Sequence, residues 1–174
     1  MAAFPVAEIP SPNFDHRPDG VVVDLVVIHA ISLPPGEFGS GRVIDFFTNR
    51  LDPSLHPYFA RIADLRVSSH YFIDRKGDVV RFVAESDRAW HAGVSVFEGR
   101  SNCNDFSLGI ELEGDDFTPF TAIQYEILNR LLDDIRTRRP AITRRRIVGH
   151  CHIAPDRKTD PGPFFDWSRI GVDL

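Results

Sequence analysis

The sequence predicts an α/β domain built on a mixed sheet. Val21–Ile28 is β-branched and almost wholly apolar, the pattern of a central strand covered on both faces. His70–Val83 holds two short apolar runs around Arg75–Lys76–Gly77–Asp78, which reads as a hairpin and therefore as an antiparallel pair. Strand-like and helix-like segments follow in the order β, α, α, β, β, β, α, β, so the sheet is mixed rather than doubly wound. The 174 residues fit one domain with a sizeable core.

Taken in order, residues 1–20 hold Pro5, Pro10, Pro12 and Pro18 and read as a surface arm, with 21–174 as the domain. His29 directly follows the first strand. Residues 31–41 carry Pro34–Pro35–Gly36 and Gly39–Ser40–Gly41 and form a loop. Val43, Ile44, Phe46, Phe47 and Leu51 lie on one helical face that stops near Asp52–Pro53. Pro57 opens a second helix. Residues 87–105 are a long irregular segment containing Ala89–Trp90–His91–Ala92–Gly93, and such loops in compact domains are usually functional. Phe106–Glu113 alternates, with Ser107, Gly109, Glu111 and Glu113 on one face; the small residues beside Glu111 leave room for a ligand or another chain segment. Thr121–Gln124 has the form of a capping box before a helix striped by Ile123, Ile127, Leu128, Leu131, Leu132 and Ile135. Ile147–Val148 is a short strand, and Phe164–Trp167 begins a closing segment.

With a net charge of -5, nucleic acid is not the expected partner. No apolar run approaches a membrane span, and residues 1–20 lack a basic start followed by an apolar stretch, so a cytosolic location is expected. The two cysteines, Cys103 and Cys151, are expected as thiols.

The chemistry concentrates in Gly149–Gly162, where prolines and glycines deny a regular helix and two His, one Cys, two Asp, a Lys and an Arg gather. His29 and His150 each follow an apolar strand, and strand ends converge at one sheet edge. With Asp160 they form a two-imidazole, one-carboxylate tripod suited to one Zn²⁺ with a position left for water. Glu111 is typed for a general base and Lys158 for stabilising an oxyanion, which together spell hydrolysis of a carbonyl–nitrogen bond. Plainer readings stand beside these. Cys151, His152 and Asp156 are rival ligands in the same loop. Glu111 and Glu113 fit the wet face of a half-exposed strand, and Arg157 and Lys158 fit surface charges. Arg136, Arg138, Arg139 and Arg144–Arg146 fit a solvated helix end and turn.

Several stretches together carry a resemblance: Val27–Ile28–His29, Ile31–Gly36, Arg66–His70, Arg88–Ser95, Cys103–Ser107, Gly109–Gly114 and Gly149–Gly162. From about Ser11 to Trp167 the chain resembles the type 2 N-acetylmuramoyl-L-alanine amidases, in particular their bacterial cytosolic branch. The resemblance implies a central mixed sheet flanked by helices, one zinc on His29, His150 and Asp160, and Glu111 and Lys158 as catalytic groups. It implies a small-molecule substrate, a 1,6-anhydro-N-acetylmuramyl peptide from cell-wall turnover, cut between the lactyl group and L-alanine. An effect on β-lactamase induction follows in bacteria that have the inducible enzyme. Arg66 is expected to bind a stem carboxylate, and Trp90, His91 and Ala92 to line the cleft. The enzyme is expected to act as a monomer, away from membranes. Some relatives of the fold bind peptidoglycan without cutting it, which is the alternative reading. Three positions depart from the family pattern: Ala30 where Asn is usual, Asn102 where Arg is frequent, and His152 where Asp is usual.

Overall fold

A computed structural model describes residues 5–172. Its strands are β1 (Val6–Glu8), β2 (Phe14–His16), β3 (Leu25–Ile31), β4 (Tyr71–Ile73), β5 (Val79–Arg81), β6 (Asp87–Ala89), β7 (Val96–Phe97), β8 (Arg100–Ser101), β9 (Ser107–Glu113) and β10 (Ile147–Gly149). The helices are α1 (Arg42–Phe47), α2 (Pro57–Ile62), α3 (Ala122–Arg138) and α4 (His150–Ile153). One six-stranded sheet runs β1-β5-β4-β9-β3-β10. Its pairs are parallel except β4–β5, the hairpin. The expected mixed α/β architecture is therefore the one found.

Local chemistry sets the helices. Pro57 occupies the first turn of α2, where its missing N–H costs nothing, and the His56 Nδ1 accepts the Tyr58 N–H at 3.0 Å. Thr121 and Gln124 cap α3 reciprocally: the Thr121 Oγ1 accepts the Gln124 N–H at 3.2 Å and the Gln124 Oε1 accepts the Thr121 N–H at 3.0 Å. The apolar stripe of α3 packs Leu128, Leu131 and Ile135 against Val26, Ile28, Leu108, Ile110 and Leu112 on one sheet face. The opposite face is covered in two parts. Phe46, Phe47 and Phe59 from α1 and α2 close over Phe72 and Val80. Ala92, Cys103, Phe106 and Ile153 close over Leu25, Val27 and Val148. His29 and Glu111 belong to this second face, where the two covers meet.

Three expectations are corrected. The first strand begins at Leu25, not Val21: the Val21 N–H turns back to the Pro18 carbonyl, and Val22 is 62% exposed. The strand also runs on to Ile31, so His29 lies inside β3 rather than after it. The 149–162 loop does contain a helical turn, α4, because its prolines and second glycine all fall after Ile153. The described part of the segment set apart as an arm is woven into the fold, with β1 as the parallel edge strand beside β5 and β2 paired with β6. Arg17, in the same segment, reaches the carbonyls of Asn104, Asp105 and Ser107 at 2.8–3.0 Å. Burial there lowers its pKa to about 10. No helix among the described residues is long and apolar enough to cross a membrane.

Candidate active site

Sheet register brings the site together. In the parallel β3–β9 pair His29 stands opposite Glu111, so the two side chains share one face on adjacent strands. In the β10–β3 pair Gly149 stands opposite Ile28, so His150, the next residue, rises level with His29. Asp160 returns over this edge because its carbonyl accepts the Cys151 N–H at 2.9 Å, tying the loop to the start of α4. The loop is further held by the Arg157 guanidinium on the Ala92 and Val94 carbonyls, both at 2.7 Å.

The result is a triangle of donor atoms. His29 Nδ1 and His150 Nδ1 lie 3.0 Å apart, and Asp160 Oδ2 lies 3.0 and 3.1 Å from them. Among the described residues this is the one cluster of three or more such side chains able to hold a metal ion. The donor chemistry fits a cation. His150 Nε2 contacts the Ala92 carbonyl at 3.0 Å, so in the neutral ring the proton is on Nε2 and Nδ1 is bare. Burial lowers His29 to about 4, against the opposing pull of Asp160, so this ring is neutral at pH 7. Burial pushes Asp160 up, but the two facing imidazoles outweigh it and hold the carboxyl well below the usual range. Two imidazoles and a carboxylate are a donor set that suits Zn²⁺.

The rival ligands Cys151, His152 and Asp156 are not part of this cluster. The His152 Nδ1 accepts the Gly149 N–H at 2.8 Å and its ring packs on Trp167. An aspartate at this position would offer a similar short acceptor, so His152 keeps a capping role. Asp156 is exposed. The plain reading of β9 fails as well, since Glu111 and Glu113 are 8% and 3% exposed. Glu113 is structural: its carboxylate accepts the N–H groups of Gly39 at 2.6 Å and Arg75 at 3.2 Å, tying two loops together. Glu111 differs, because its buried Oε2 has no hydrogen-bond partner. Burial, and then the Asp160 charge, push its pKa well above 4.5, with the Lys158 charge opposing.

These groups open onto a cleft of about 560 Å³, walled by His29, Glu111, His150, Lys158 and Asp160 and by apolar groups including Tyr58, Leu65, Trp90 and Phe117. Its size suits a small-molecule ligand. Trp90 and His91 line it as expected. Ala92 does not: it is fully buried and acts through its carbonyl. Arg66 is not brought in either. It is exposed and its Nη1 folds back on the Ala63 and Leu65 carbonyls at 3.1 and 3.4 Å. Asn102 adopts the left-handed region at φ 58°, which asparagine tolerates better than most residues.

Two further residues support the site, and of these only Gly109 carried a local signal, its small size beside Glu111. Asn104 Oδ1 accepts the N–H groups of both His91 and Ala92, at 3.1 and 2.8 Å. Gly109 is required by close packing: a Cβ there would stand 2.5 Å from the His91 ring. The space beside Glu111 is thus taken by another chain segment. Gly109→Ala is expected to lose about 1–3 kcal/mol of stability in urea denaturation, since the ring and two strands must shift; an unchanged midpoint would contradict this.

Buried histidines also set a pH dependence. Burial and the Arg17 charge lower His70 to about 3, burial lowers His29 to about 4, and burial pushes His91 well below 6.5. In the unfolded chain each protonates near 6.5. The unfolded state therefore binds more protons as pH falls below 6.5, and stability present above that pH is lost on acidification. Metal-free protein is expected to lose about 2 kcal/mol each from His29 and His70 between pH 7 and 5, with His91 acting in the same direction. Urea titrations showing flat stability over that range would refute the burial of these rings as neutral groups.

Comparison with known proteins gives the family. The family model described as N-acetylmuramoyl-L-alanine amidase (Amidase_2) matches residues 19–163. The chain is 56% identical to the 1,6-anhydro-N-acetylmuramyl-L-alanine amidase AmpD of Haemophilus influenzae, over 93% of this chain and 88% of that protein. It is 52% identical to AmpD of Escherichia coli, over 94% and 89%. A crystal structure of a Se-Met AmpD derivative superposes with a TM-score of 0.92 at 53% identity, covering 95% of this chain and 92% of that one. The amidase AmiD of E. coli, solved with its substrate anhydro-N-acetylmuramic acid-L-Ala-D-γ-Glu-L-Lys, gives a TM-score of 0.64 at 29% identity, covering 91% and 62%. A mixed sheet presenting two histidines and an aspartate at one edge, with a buried, unpaired glutamate in register beside them, is thus found in a chain that belongs to the N-acetylmuramoyl-L-alanine amidase (Amidase_2) family.

Proposed function

We propose that the chain hydrolyses the amide between the lactyl group of 1,6-anhydro-N-acetylmuramic acid and L-alanine, recycling peptides released from the cell wall. The observation that carries the reading is the convergence of three metal-donor atoms at the floor of a cleft, with the unpaired Glu111 carboxylate on the neighbouring strand. His29, His150 and Asp160 would hold one Zn²⁺. Bound there, zinc supplies Lewis acidity that makes water nucleophilic near neutral pH and polarises an amide carbonyl.

The chain's own groups do the rest. Glu111, raised by burial, takes the proton of the attacking water and returns it to the departing alanine nitrogen. Lys158, on the cleft wall, offers a cation to the oxyanion of the tetrahedral intermediate. Trp90 and Tyr58 supply apolar wall against the sugar and stem, and the cover of α1 and α2 on one side and residues 87–105 on the other limits water at the floor. A binding-only role is the weaker reading, because recognition does not require a buried, unpaired carboxylate beside a full donor set. The proposal extends to a monomer in the bacterial cytoplasm and, where a β-lactamase is inducible, to lowering the inducing muropeptide.

The test is product analysis by mass spectrometry, using anhydro-muropeptide and the protein as purified, stripped with chelator, and reloaded with Zn²⁺. Free stem peptide plus anhydro-sugar should appear, vanish on stripping and return with zinc. Protein shown to hold one zinc that binds the muropeptide yet releases nothing would favour recognition instead.

A further inference from the structure

We propose that His91 is a positioning residue of the metal centre: it holds His29 as the Nε2–H tautomer, so that the His29 Nδ1 lone pair faces His150 and Asp160. This rests on the metal-site reading above.

The direction of the hydrogen bonds follows from one group that cannot donate. The Ser107 hydroxyl has a single proton and lies 2.6 Å from the Cys103 carbonyl oxygen, which only accepts. The Ser107 oxygen must then accept at its other contact, from His91 Nε2 at 3.2 Å. With the proton on Nε2, the Nδ1 of a neutral His91 is bare. That Nδ1 lies 2.9 Å from His29 Nε2, so His29 is the donor there. The proton of the neutral His29 ring is thereby placed on the side away from the cluster. Its Nδ1 is left as a lone pair 3.0 Å from both His150 Nδ1 and Asp160 Oδ2.

The His91 ring is held as firmly as the tautomer. Gly109 leaves the space it fills, and Asn104 Oδ1 fixes the backbone of His91 and Ala92. The rings of His29 and His91 meet edge to face, with centroids 5.0 Å apart and planes at 86°. Two adjacent residues therefore serve both metal histidines: His91 through its side chain to His29, and Ala92 through its carbonyl to His150. Metal histidines generally depend on such an acceptor behind the ring. Here one of the two acceptors is itself an imidazole whose tautomer is set by Ser107. His91 lines the cleft, but with both ring nitrogens engaged it has none to offer a substrate.

The first experiment needs no substitution. Long-range ¹H–¹⁵N spectra of the histidine rings in zinc-loaded wild-type protein should show His29 and His91 neutral with the proton on Nε2. A proton on Nδ1 of His91 would overturn the proposal. Zinc affinity is then read by competition with a chromophoric chelator. His91→Leu removes the acceptor and should weaken zinc binding about 10–100-fold. His91→Gln keeps an amide oxygen for His29 and an amino group for Ser107, and should restore most of that loss and the His29 ring shifts. If His91→Leu binds zinc as tightly as wild type with unchanged His29 shifts, His91 has no positioning role. If His91→Leu does not fold, the wild-type spectra and the Gln variant decide. If wild-type protein binds no zinc at this cluster, the metal-site reading falls and this proposal with it.

Discussion

Glu111→Gln is expected to lower kcat by about 10²–10⁴-fold while the protein keeps its zinc and its fold, the size of effect usual for a positioned acid–base group. The reason lies in what Glu111 does not do. Its Oε2 has no hydrogen-bond partner, it forms no salt bridge among the described residues, and it is only 8% exposed. A carboxylate buried without partners destabilises the fold, so the neutral amide should leave urea stability unchanged or raise it. Register places it on the strand beside His29, aimed at the same cleft floor. Loss confined to kcat, with KM and zinc content near wild type, marks an interaction made in the transition state. Full turnover by a zinc-replete Glu111→Gln protein would remove Glu111 from the mechanism.

The second large effect is expected from Asp160→Ala. Asp160 contributes the one carboxylate of the donor set, and among the described residues its side chain hydrogen-bonds only His29 and His150. The tie from its carbonyl to the Cys151 N–H belongs to the main chain and survives truncation. The variant should therefore fold yet bind zinc more weakly than any outer-shell change, which typically costs about 10–100-fold. Several kcal/mol of charge stabilisation go with the metal, so kcat/KM should fall by at least about 10³-fold at limiting zinc. Thermal unfolding with and without Zn²⁺ gives an independent reading: wild type should gain stability from the metal and the variant little. An equal gain in both would mean that Asp160 is not a ligand.

Much of this site is readable from residue types and their intervals. The alternation Ser107–Glu113 already separates Glu111 and its small neighbours from the apolar face that meets α3. The gathering of ligand-type residues after Ile147–Val148 marks the loop that supplies His150 and Asp160. Family motifs then narrow the ligand choice further than spacing does. What the residues could not state was which carboxylates and histidines face the cleft. Glu111 and Glu113 have the same parity on one strand, yet Glu113 is satisfied by two backbone N–H groups and Glu111 by none. His91 belongs to a motif read as cleft lining, and in the fold it both lines the cleft and stands behind a ligand. Arg66 was expected at the stem carboxylate and turns back on its own loop.

The sequence by itself determined the mixed α/β architecture, the order of its main elements, the amphipathic α3 with its capping box, and the donor types available. Each depends on side chains within a few positions of one another, so local periodicity and capping chemistry express it directly. The tertiary structure decided the register of β3 against β9, the closeness of His29 to His150 across 121 positions, the return of Asp160 over the edge, and the tautomer-setting path from Cys103 to His29. It also turned the described part of the proline-punctuated arm into an edge strand and an arginine clamp. These arise from pairing and packing between distant segments, where a one-residue shift in register would put every side chain on the other face.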